Sequence, residues 1–474
     1  MTREELQALT SESLPKFFSD TDTGNDKIYE EAKKQYNPKD HTIITDTVAR
    51  PDKQVKTQDE NGQTITKIVN RSRISIPMQK LIVKRAVAFL AGNPITLKSE
   101  AKDKSLEANL VDVITKSWND NKLDFRTKEL ARIMMSETEC AELWYTEPLE
   151  EDDTYWQGTA NESAKFRLRL RILANSKGDK LYPIYDNMGD MTGFGRYYSV
   201  KEAGKNIACF DLYTDKVIRH FRKTEGWTEL PAEPNIIGKI PVIYYHQDAV
   251  EWADVETLMN RLEEILSDYA DMIKYFASPM LKARGRTFSL PAKGEVGKVL
   301  QLDGTKDEVD VEYLTWDTKP EAVIFEYEKV LEQIYTMTQT PDISFSSMAG
   351  VDNGSGIKLK LMFMDAVLKA MEHWENFGEG IQRRINLIKA FMGKINIPAF
   401  EKIVNTTIEP VWRPYIPLNE LEEVQKLVDA YQGGIQSLKR TIENNPMVDD
   451  VNSELEQITK EKEESQSDVL NIAV

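Results

Sequence analysis

The second half of the chain carries an uncommon order of predicted elements. Helical spacing of apolar residues predicts a helix over about 249–277, and a strand-rich insert at 278–318 follows it. A second helix over about 319–339 leads into a polar loop at 341–354, and a very long helix over about 355–395 comes next. Few enzymes need this order, whereas a protein that spans a distance and repeats around an axis does.

The first of these helices has an apolar seam with acidic flanks. At about 1.5 Å per residue it spans about 43 Å. Its seam consists of Val255, Leu258, Leu262, Ile265, Leu266, Tyr269 and Ile273. Carboxylates lie mostly off the seam, including Glu256, Glu263, Asp268 and Asp271. The pattern fits an ordinary core helix or a helix that spans a distance.

The insert after this helix changes the sign of the charge. Five basic residues fall within its first half, namely Lys282, Arg284, Arg286, Lys293 and Lys298. Strands are expected over 281–290, 296–302 and 309–314. Three interpretations of the basic patch stay open: contact with phosphate, pairing with the acidic tail of a neighbouring subunit, and a solvated surface.

The polar loop at 341–354 has the composition of a movable segment. Gly350, Gly354 and Gly356 permit wide backbone excursions. An ordinary surface loop that ends in a helix cap at Asn353 or Ser355 fits the same residues.

The long helix after the loop carries an apolar stripe. The stripe predicts an adaptable, methionine-rich core face made of Leu361, Met364, Leu368, Met371, Trp374 and Phe377. Gly378 and Gly380 weaken the helix and predict a bend there.

The rest of the chain predicts a mixed α+β fold that is predominantly helical. We expect a short frayed helix within 1–30, a polar hairpin or loop at 51–70 and a largely buried helix over 75–94. Two helices are predicted within 105–147, and strands and hairpins with a period of two fill 164–245. The tail predicts two helical stretches around a glycine break, followed by an acidic end.

Length and charge limit the class of protein. A chain of 474 residues predicts two to four sub-domains. The net charge of −17 argues against tight binding of nucleic acid over the whole surface. It does not argue against a protein past which a polyanion slides, although solubility is the simpler reason for the charge.

The sequence offers little for catalysis, metals or membranes. Cys140 and Cys209 are the only cysteines and the four histidines are scattered, so we expect a reducing compartment and no metal or cofactor. Walker A, GxSxG and CxxC motifs are absent from the sequence. Lys84 and Arg85 break the best apolar run, and the N-terminus lacks the apolar region of a signal peptide, so no membrane partner is expected.

Several segments, in order, resemble the SPP1-like portal proteins of tailed bacteriophages. The similarity covers roughly residues 70–415, and Ile357 is a mild departure from it. The matching segments are Ser75–Leu97 with its Leu-Ala-Gly-Asn-Pro-Ile end, Pro183–Asp186 with Arg196–Tyr198, Gly238–Tyr244, Ser267–Asp271, and Pro341–Ile343 with Ser355–Lys360.

The resemblance implies a phage portal fold with named regions. These are an α/β wing at 1–248, stem helices at 249–277 and 319–340, a clip at 278–318, a tunnel loop at 341–354, a long helix and wing return at 355–414, and a helical crown with an acidic tail at 415–474. The implied assembly is a homo-oligomeric ring of about twelve subunits at one capsid vertex of the virion, built in the host cytoplasm.

The resemblance also implies a non-enzymatic role in moving double-stranded DNA during packaging and ejection. The four stem carboxylates would repel phosphate, and the basic clip would dock the terminase large subunit and later the head-completion and connector proteins. Major capsid and scaffolding proteins are further implied partners. The tunnel loop residues that would meet DNA are Ser346, Ser347, Gly350, Val351, Asp352, Asn353 and Gly354. Another non-enzymatic virion scaffold or assembly protein is the alternative.

Overall fold

The chain folds as a mixed α+β protein whose helices and sheets share one large core. The computed structural model describes residues 1–461 apart from 59–62, 100–103, 151–152, 160–161, 163, 203, 277–279, 285, 290–300, 304–309, 315–319, 344–359, 396–399, 417–419, 446, 449–450 and 452. No helix in the described ranges is both long and apolar enough to cross a bilayer.

The helices of the described part are distributed along the whole chain. They are α1 Arg3–Gln7, α2 Leu14–Asp20, α3 Asn25–Tyr36, α4 Thr42–Thr45, α5 Met78–Ala91, α6 Lys104–Asp120, α7 Leu123–Glu137, α8 Glu256–Phe276, α9 Pro320–Met337, α10 Met364–Ile395, α11 Phe400–Asn405, α12 Glu420–Gln432 and α13 Leu438–Glu443. Short 3₁₀ turns span Asn175–Lys177 and Ala253–Val255.

The strands form small antiparallel sheets. They are β1 Lys53–Gln58, β2 Thr64–Val69, β3 Thr96–Ser99, β4 Glu139–Pro148, β5 Phe166–Leu173, β6 Lys180–Tyr185, β7 Met191–Glu202, β8 Lys205–Tyr213, β9 Val217–Lys223, β10 Trp227–Glu229, β11 Glu233–Pro234, β12 Val242–His246, β13 Met280–Arg284, β14 Arg286–Ser289, β15 Gln301–Asp303, β16 Asp310–Leu314 and β17 Ile408–Val411. The orders are β1-β2, β12-β4-β5, β10-β9-β8-β7-β6 with β11 on β9, β13-β16, β14-β15 and β17-β3.

Most predicted elements are present near their expected bounds. The hairpin at 51–70, the buried helix α5 and the hairpins within 164–245 are confirmed. Helices α8 and α9 are confirmed as well, although α8 begins at Glu256, after the 3₁₀ turn, rather than near residue 249. The break between α12 and α13 is confirmed, and Gly434 adopts a left-handed φ of 68° there.

The prediction of one short N-terminal helix was wrong. Three helices lie within the first 36 residues. Their residues Leu6, Leu14 and Phe17 are buried against the sheet that contains β6 to β11. Phe17 packs 5.5 Å from Phe210 between ring centroids. These apolar residues are too widely spaced to show a single helical stripe, so only the tertiary packing reveals their role.

The second helix predicted within 105–147 is too long. Thr138 adopts a left-handed φ of 69° and ends α7, and the chain then enters the buried strand β4. Strand β4 lies in the centre of its sheet, between β12 and β5. Its first six residues, 139–144, are buried on both faces, so the alternation that marks a half-buried strand is missing there from the sequence.

The apolar stripe of α10 was wrongly interpreted as a core face. Leu361, Met364, Leu368 and Met371 are 65%, 52%, 47% and 51% exposed. Phe363, Ala366, Lys369 and Ala370, on the opposite side, are buried instead. Trp374 and Phe377, later in the stripe, do pack into the core. The first half of the stripe is therefore an apolar surface of the single chain.

The glycines of α10 make room for aromatic rings. A Cβ on Gly380 would lie 2.1 Å from Cε1 of Tyr245, and one on Gly378 would lie 2.9 Å from Cε2 of Trp374. Helix α10 continues through both positions to Ile395. Close packing accounts for the two glycines, and the bend stays a prediction.

Candidate functional site

The helix–insert–helix–loop–helix run is held together by a buried polar junction. Glu251, just before α8, contacts Lys369 of α10 at 2.5 Å and His373 of α10 at 3.1 Å. The Lys369 ammonium also donates to the carbonyl oxygen of Thr338, which follows α9, at 2.7 Å. One lysine therefore joins the entry to α8, the end of α9 and the long helix.

The junction stabilises the charged form of Glu251. Burial raises the pKa of Glu251, but the bonds to His373 and Lys369 outweigh that effect and hold the pKa at about 2. A polar cavity of about 610 Å³ borders the junction and includes His246, Asp254 and Gln339 in its lining. Within the described ranges, no group of three or more His, Cys, Asp and Glu residues is arranged to hold a metal ion.

Two of the four predicted stem carboxylates hold an extended segment on α8. Backbone N–H groups of Ser72, Ile74 and Ile76 donate to Asp271, Ser267 and Glu263 at 2.7, 2.9 and 2.7 Å. The donors are two residues apart in extended chain, which is a rise of about 6.6 Å, and the acceptors are four residues apart in the helix, which is a rise of about 6 Å. Because the two spacings are similar, the segment can bond to the helix at successive turns. We call this set of three bonds the 72–76 ladder.

Glu263 is the most buried of the predicted stem carboxylates. It is 3% exposed, and its Oε1 lies 2.6 Å from Nδ1 of His41, whose Nε2 lies 2.8 Å from the carbonyl oxygen of Gln35. Glu263 therefore faces the N-terminal segment rather than solvent. This position does not suit a carboxylate that repels passing phosphate.

Arg50 pairs with two of the predicted carboxylates, Asp268 and Asp271, and the second of these also belongs to the ladder. Its Nη1 donates to Asp268 at 2.7 Å, its Nη2 to Asp271 at 3.2 Å and its Nε to the Ser72 carbonyl at 3.1 Å. Burial raises the pKa of Asp271, but the bonds from Ser72 and the charge of Arg50 lower it overall. The Asp268 side chain remains 64% exposed, and Glu256 borders a separate cavity beside α3 and α4.

In the strands of the insert, three basic residues are paired across the strands with acidic residues. Lys282 is the Cα partner of Glu312, Arg284 of Asp310, and Arg286 of Asp303. The strand predicted over 281–290 is two strands, β13 and β14, which pair with different partners. Lys293 and Lys298 lie outside the described residues.

The predicted tunnel loop residues, Ser346 to Gly354, also lie outside the described residues. The structure describes only the start of the loop, at residues 341–343. Arg85 of α5 donates to the carbonyl oxygen of Pro341 at 2.6 Å. This bond holds the chain that follows α9 against α5.

Sequence patterns did not reveal the buried charged residues of α10. Arg384 is fully buried, and its Nε donates to both carboxylate oxygens of Glu142 at 3.1 Å and its Nη1 to Thr127 at 2.9 Å. The available signal was its place between Ile381 and Ile388, on the apolar side of the helix. A charged residue there predicts a buried partner without saying which one.

Comparison with known proteins identifies the family. The family model described as phage portal protein, SPP1 Gp6-like, matches residues 18–468, beyond the span of 70–415 over which single motifs are recognisable. The portal protein of Bacillus phage SPP1 is 21% identical over 424 residues, which are 84% of this chain and 78% of that protein.

Similarity to solved structures is weaker. The neck of an empty GTA particle computed with C6 symmetry has a TM-score of 0.41 at 9% identity and covers 76% of this chain and 87% of its own. The neck of a native GTA particle computed with C12 symmetry has a TM-score of 0.37 at 9% identity, with 77% and 86% covered. Because these scores are low, the assignment rests on the sequence matches. The chain belongs to the SPP1-like phage portal protein family.

Proposed function

We propose that this chain assembles as a homo-oligomeric ring of about twelve subunits and forms the DNA channel at one capsid vertex of the virion. The observation that carries the proposal is the family match over residues 18–468. The role is structural and non-enzymatic: double-stranded DNA passes through the ring during packaging and ejection.

The exposed stripe of α10 supports assembly. Leu361, Met364, Leu368 and Met371 follow a spacing of three and four residues, which places them on one face. A single chain gains nothing from exposing this face, whereas a head-to-tail ring buries one face of each subunit against a different face of the next. We assign the stripe to contact with a second copy of this chain.

The channel role is assigned to carboxylates that remain accessible on the stem helices. Asp268 is 64% exposed, and Glu264 and Glu326 are 52% and 47% exposed beside Arg261, which links α8 to α9. Carboxylates on a channel wall repel phosphate and keep DNA from adhering. Glu256 stays a candidate for this role, whereas Glu263 and Asp271 act within the subunit.

The insert and the loop receive their roles from their positions. The insert at 278–318 lies between α8 and α9 and is proposed to dock the terminase motor and then the connector proteins through its basic residues. The loop at 341–354 lies between α9 and α10 and is proposed to narrow the channel around DNA.

Electron microscopy of the purified chain, with native mass spectrometry, tests the assembly. We expect rings of about twelve subunits with a central opening. A chain that remains monomeric or dimeric at high concentration, or one that hydrolyses ATP or cleaves DNA, contradicts the proposal.

A further inference from the structure

The hairpin of β1 and β2 extends from the subunit without joining its core. Among the described residues, its two strands pair only with each other, and none of their residues belongs to a hydrophobic cluster. All six residues of β2 are exposed. A hairpin of two strands is at best marginally stable on its own in water, so it gains from a partner surface. We call this hairpin the β1–β2 arm.

The base of the arm is fixed to the subunit. Asp52 accepts the backbone N–H of Arg71 at 3.0 Å and Nη2 of Arg73 at 2.8 Å. Nη2 of Arg73 also donates to the carbonyl oxygen of Arg50 at 3.0 Å, and the Arg50 side chain pairs with α8. The two segments that enter and leave the arm are therefore tied to each other and to α8.

Both faces of the arm combine branched apolar residues with lysines. Ile65 and Val69 are four residues apart in β2 and lie on one face, whereas Ile68 lies on the other, and all three are exposed. The two strands carry no acidic residue, and their exposed lysines are Lys53, Lys56 and Lys67. Phosphate is contacted by polar and charged groups, so the apolar residues favour a protein surface as the partner.

The proposed ring needs a second surface that meets the apolar stripe of α10. In a head-to-tail ring, the stripe of one subunit contacts a different face of the next subunit. The apolar residues of the arm span about 14 Å from Ile65 to Val69, and the stripe spans about 10 Å from Met364 to Met371. The two exposed apolar surfaces are thus of comparable length.

Charge favours the arm over other exposed apolar residues as the partner of the stripe. The chain has a net charge of −17, and Asp365 is exposed within the stripe. Ile324 and Phe325 of α9 are also exposed, but Glu326 follows them directly and would add like charge. The arm brings lysines instead, so its charge is opposite to that of the surface it would meet.

We propose that the β1–β2 arm of one subunit packs on the α10 stripe of a second copy of this chain, with its lysines facing carboxylates of that copy. The inference rests on the ring proposed above and names the surface that the stripe meets. Because the base of the arm is tied to α8, this contact joins α8 of one subunit to α10 of the next.

Photocrosslinking in assembled rings tests the contact directly. Benzoylphenylalanine replaces Ile68 in the full chain, and rings are assembled from an equal mixture of unlabelled and isotopically labelled chains. We expect crosslinked peptide pairs of mixed isotope that join the arm to residues 361–371. The matched control carries the same group at Met188, which is exposed between β6 and β7, and should give no such pair.

The concentration at which half of the chains are in rings measures the contribution of the arm. Ile65→Thr/Ile68→Thr/Val69→Thr keeps residues that favour strands and should raise this concentration by about tenfold or more. Added to Leu368→Gln/Met371→Gln, it should raise the concentration by less than a further twofold or about that, because both variants remove the same contact. The control Met188→Thr/Val200→Thr/Val217→Thr changes exposed residues of the sheet that contains β6 to β11 and should have an effect of less than about twofold.

Charge reversal tests the lysines separately. Lys53→Glu/Lys56→Glu/Lys67→Glu should raise the half-assembly concentration by about threefold or more. Lys201→Glu/Lys205→Glu/Lys216→Glu changes the net charge equally at exposed positions of the other sheet, and it should have the smaller effect. Circular dichroism of each variant verifies that it is folded.

Three outcomes overturn the inference. One is normal ring formation by the arm variants, and another is crosslinking confined to single chains or to peptides outside 361–371. The third is capture of added double-stranded DNA by the crosslinker in place of protein, which would assign the arm to nucleic acid. An unmodified chain that forms no rings contradicts the proposed function itself, whereas rings that are indifferent to the arm contradict this inference alone.

Discussion

At the scale of single residues, the structure depends on a few buried charges. Lys369, Arg384, Glu142 and Glu251 lie inside the subunit and join elements that are far apart in sequence. Removing water from a charge is costly, so each of these groups needs its partner. This dependence makes their replacement informative.

Arg384→Met is expected to destabilise the subunit by about 3–5 kcal/mol, because Glu142 then remains buried without its cation. Chemical denaturation measures the change. Arg383→Met is the matched control: Arg383 is the preceding residue, is 51% exposed and pairs with Glu379, and it should change stability by less than about 1 kcal/mol. Equal effects of the two variants would show that the buried pair contributes little.

Glu251 is expected to make the subunit sensitive to acid. Its pKa is lowered from 4.5 to about 2, so its contribution is present above pH 4.5 and is lost as the pH falls toward 2. The amount is on the order of 3 kcal/mol. Denaturation curves between pH 6 and pH 3 should show a weaker pH dependence for Glu251→Gln than for the unmodified chain. An unchanged dependence would rule out this role of Glu251.

At the scale of elements, the 72–76 ladder fixes the N-terminal part to α8. Asp271→Ala removes the acceptor of the Ser72 N–H and one partner of Arg50. We expect hydrogen exchange at Ser72 and Ile74 to accelerate about tenfold or more, since local opening becomes easier. The control Glu264→Ala removes an exposed carboxylate on the same helix. If exchange accelerates equally in the control, the ladder is not what holds this segment.

Replacing residues of the exposed stripe of α10 is expected to impair assembly without affecting the stability of the monomer. Leu368→Gln/Met371→Gln changes two exposed residues and should leave monomer stability within about 1 kcal/mol. The same variant should reduce the fraction of chains in rings, measured by native mass spectrometry. Glu372→Gln/Glu375→Gln, at exposed positions of the same helix, serves as control. Normal assembly of the apolar-stripe variant would remove the stripe from the subunit interface.

An element was predictable from the sequence when nearby residues determine it, and was not predictable when distant residues do. Helices α8 and α9 were predictable because their buried residues recur with the helical period. Strand β4 was not, because it is buried on both faces, and the β3–β17 pair joins Thr96 to Val411 across most of the chain. The sequence also could not show which side of α10 packs against the core, since both sides carry apolar residues.

At the scale of the whole molecule, the loop at 341–354 is predicted to serve DNA movement rather than folding. Shortening it should leave ring assembly intact and reduce DNA packaging or retention, because it joins α9 to α10 without supplying the stripe. Packaging assays with electron microscopy of the rings test both parts. Loss of rings by a chain that still folds as a monomer would contradict this division of roles.

The sequence by itself determined the class of protein, the order of helix, insert, helix, loop and helix, and the family resemblance, because these depend on periodicity and on short ordered motifs. Only the tertiary structure decided which charged residues are buried and paired within the subunit and which remain on its surface. It placed Glu263 and Asp271 against the N-terminal segment, Lys369 at the junction and the methionine stripe on the surface. The physical reason is that burial and pairing depend on neighbours distant in sequence, whereas the spacing of residues along a helix does not.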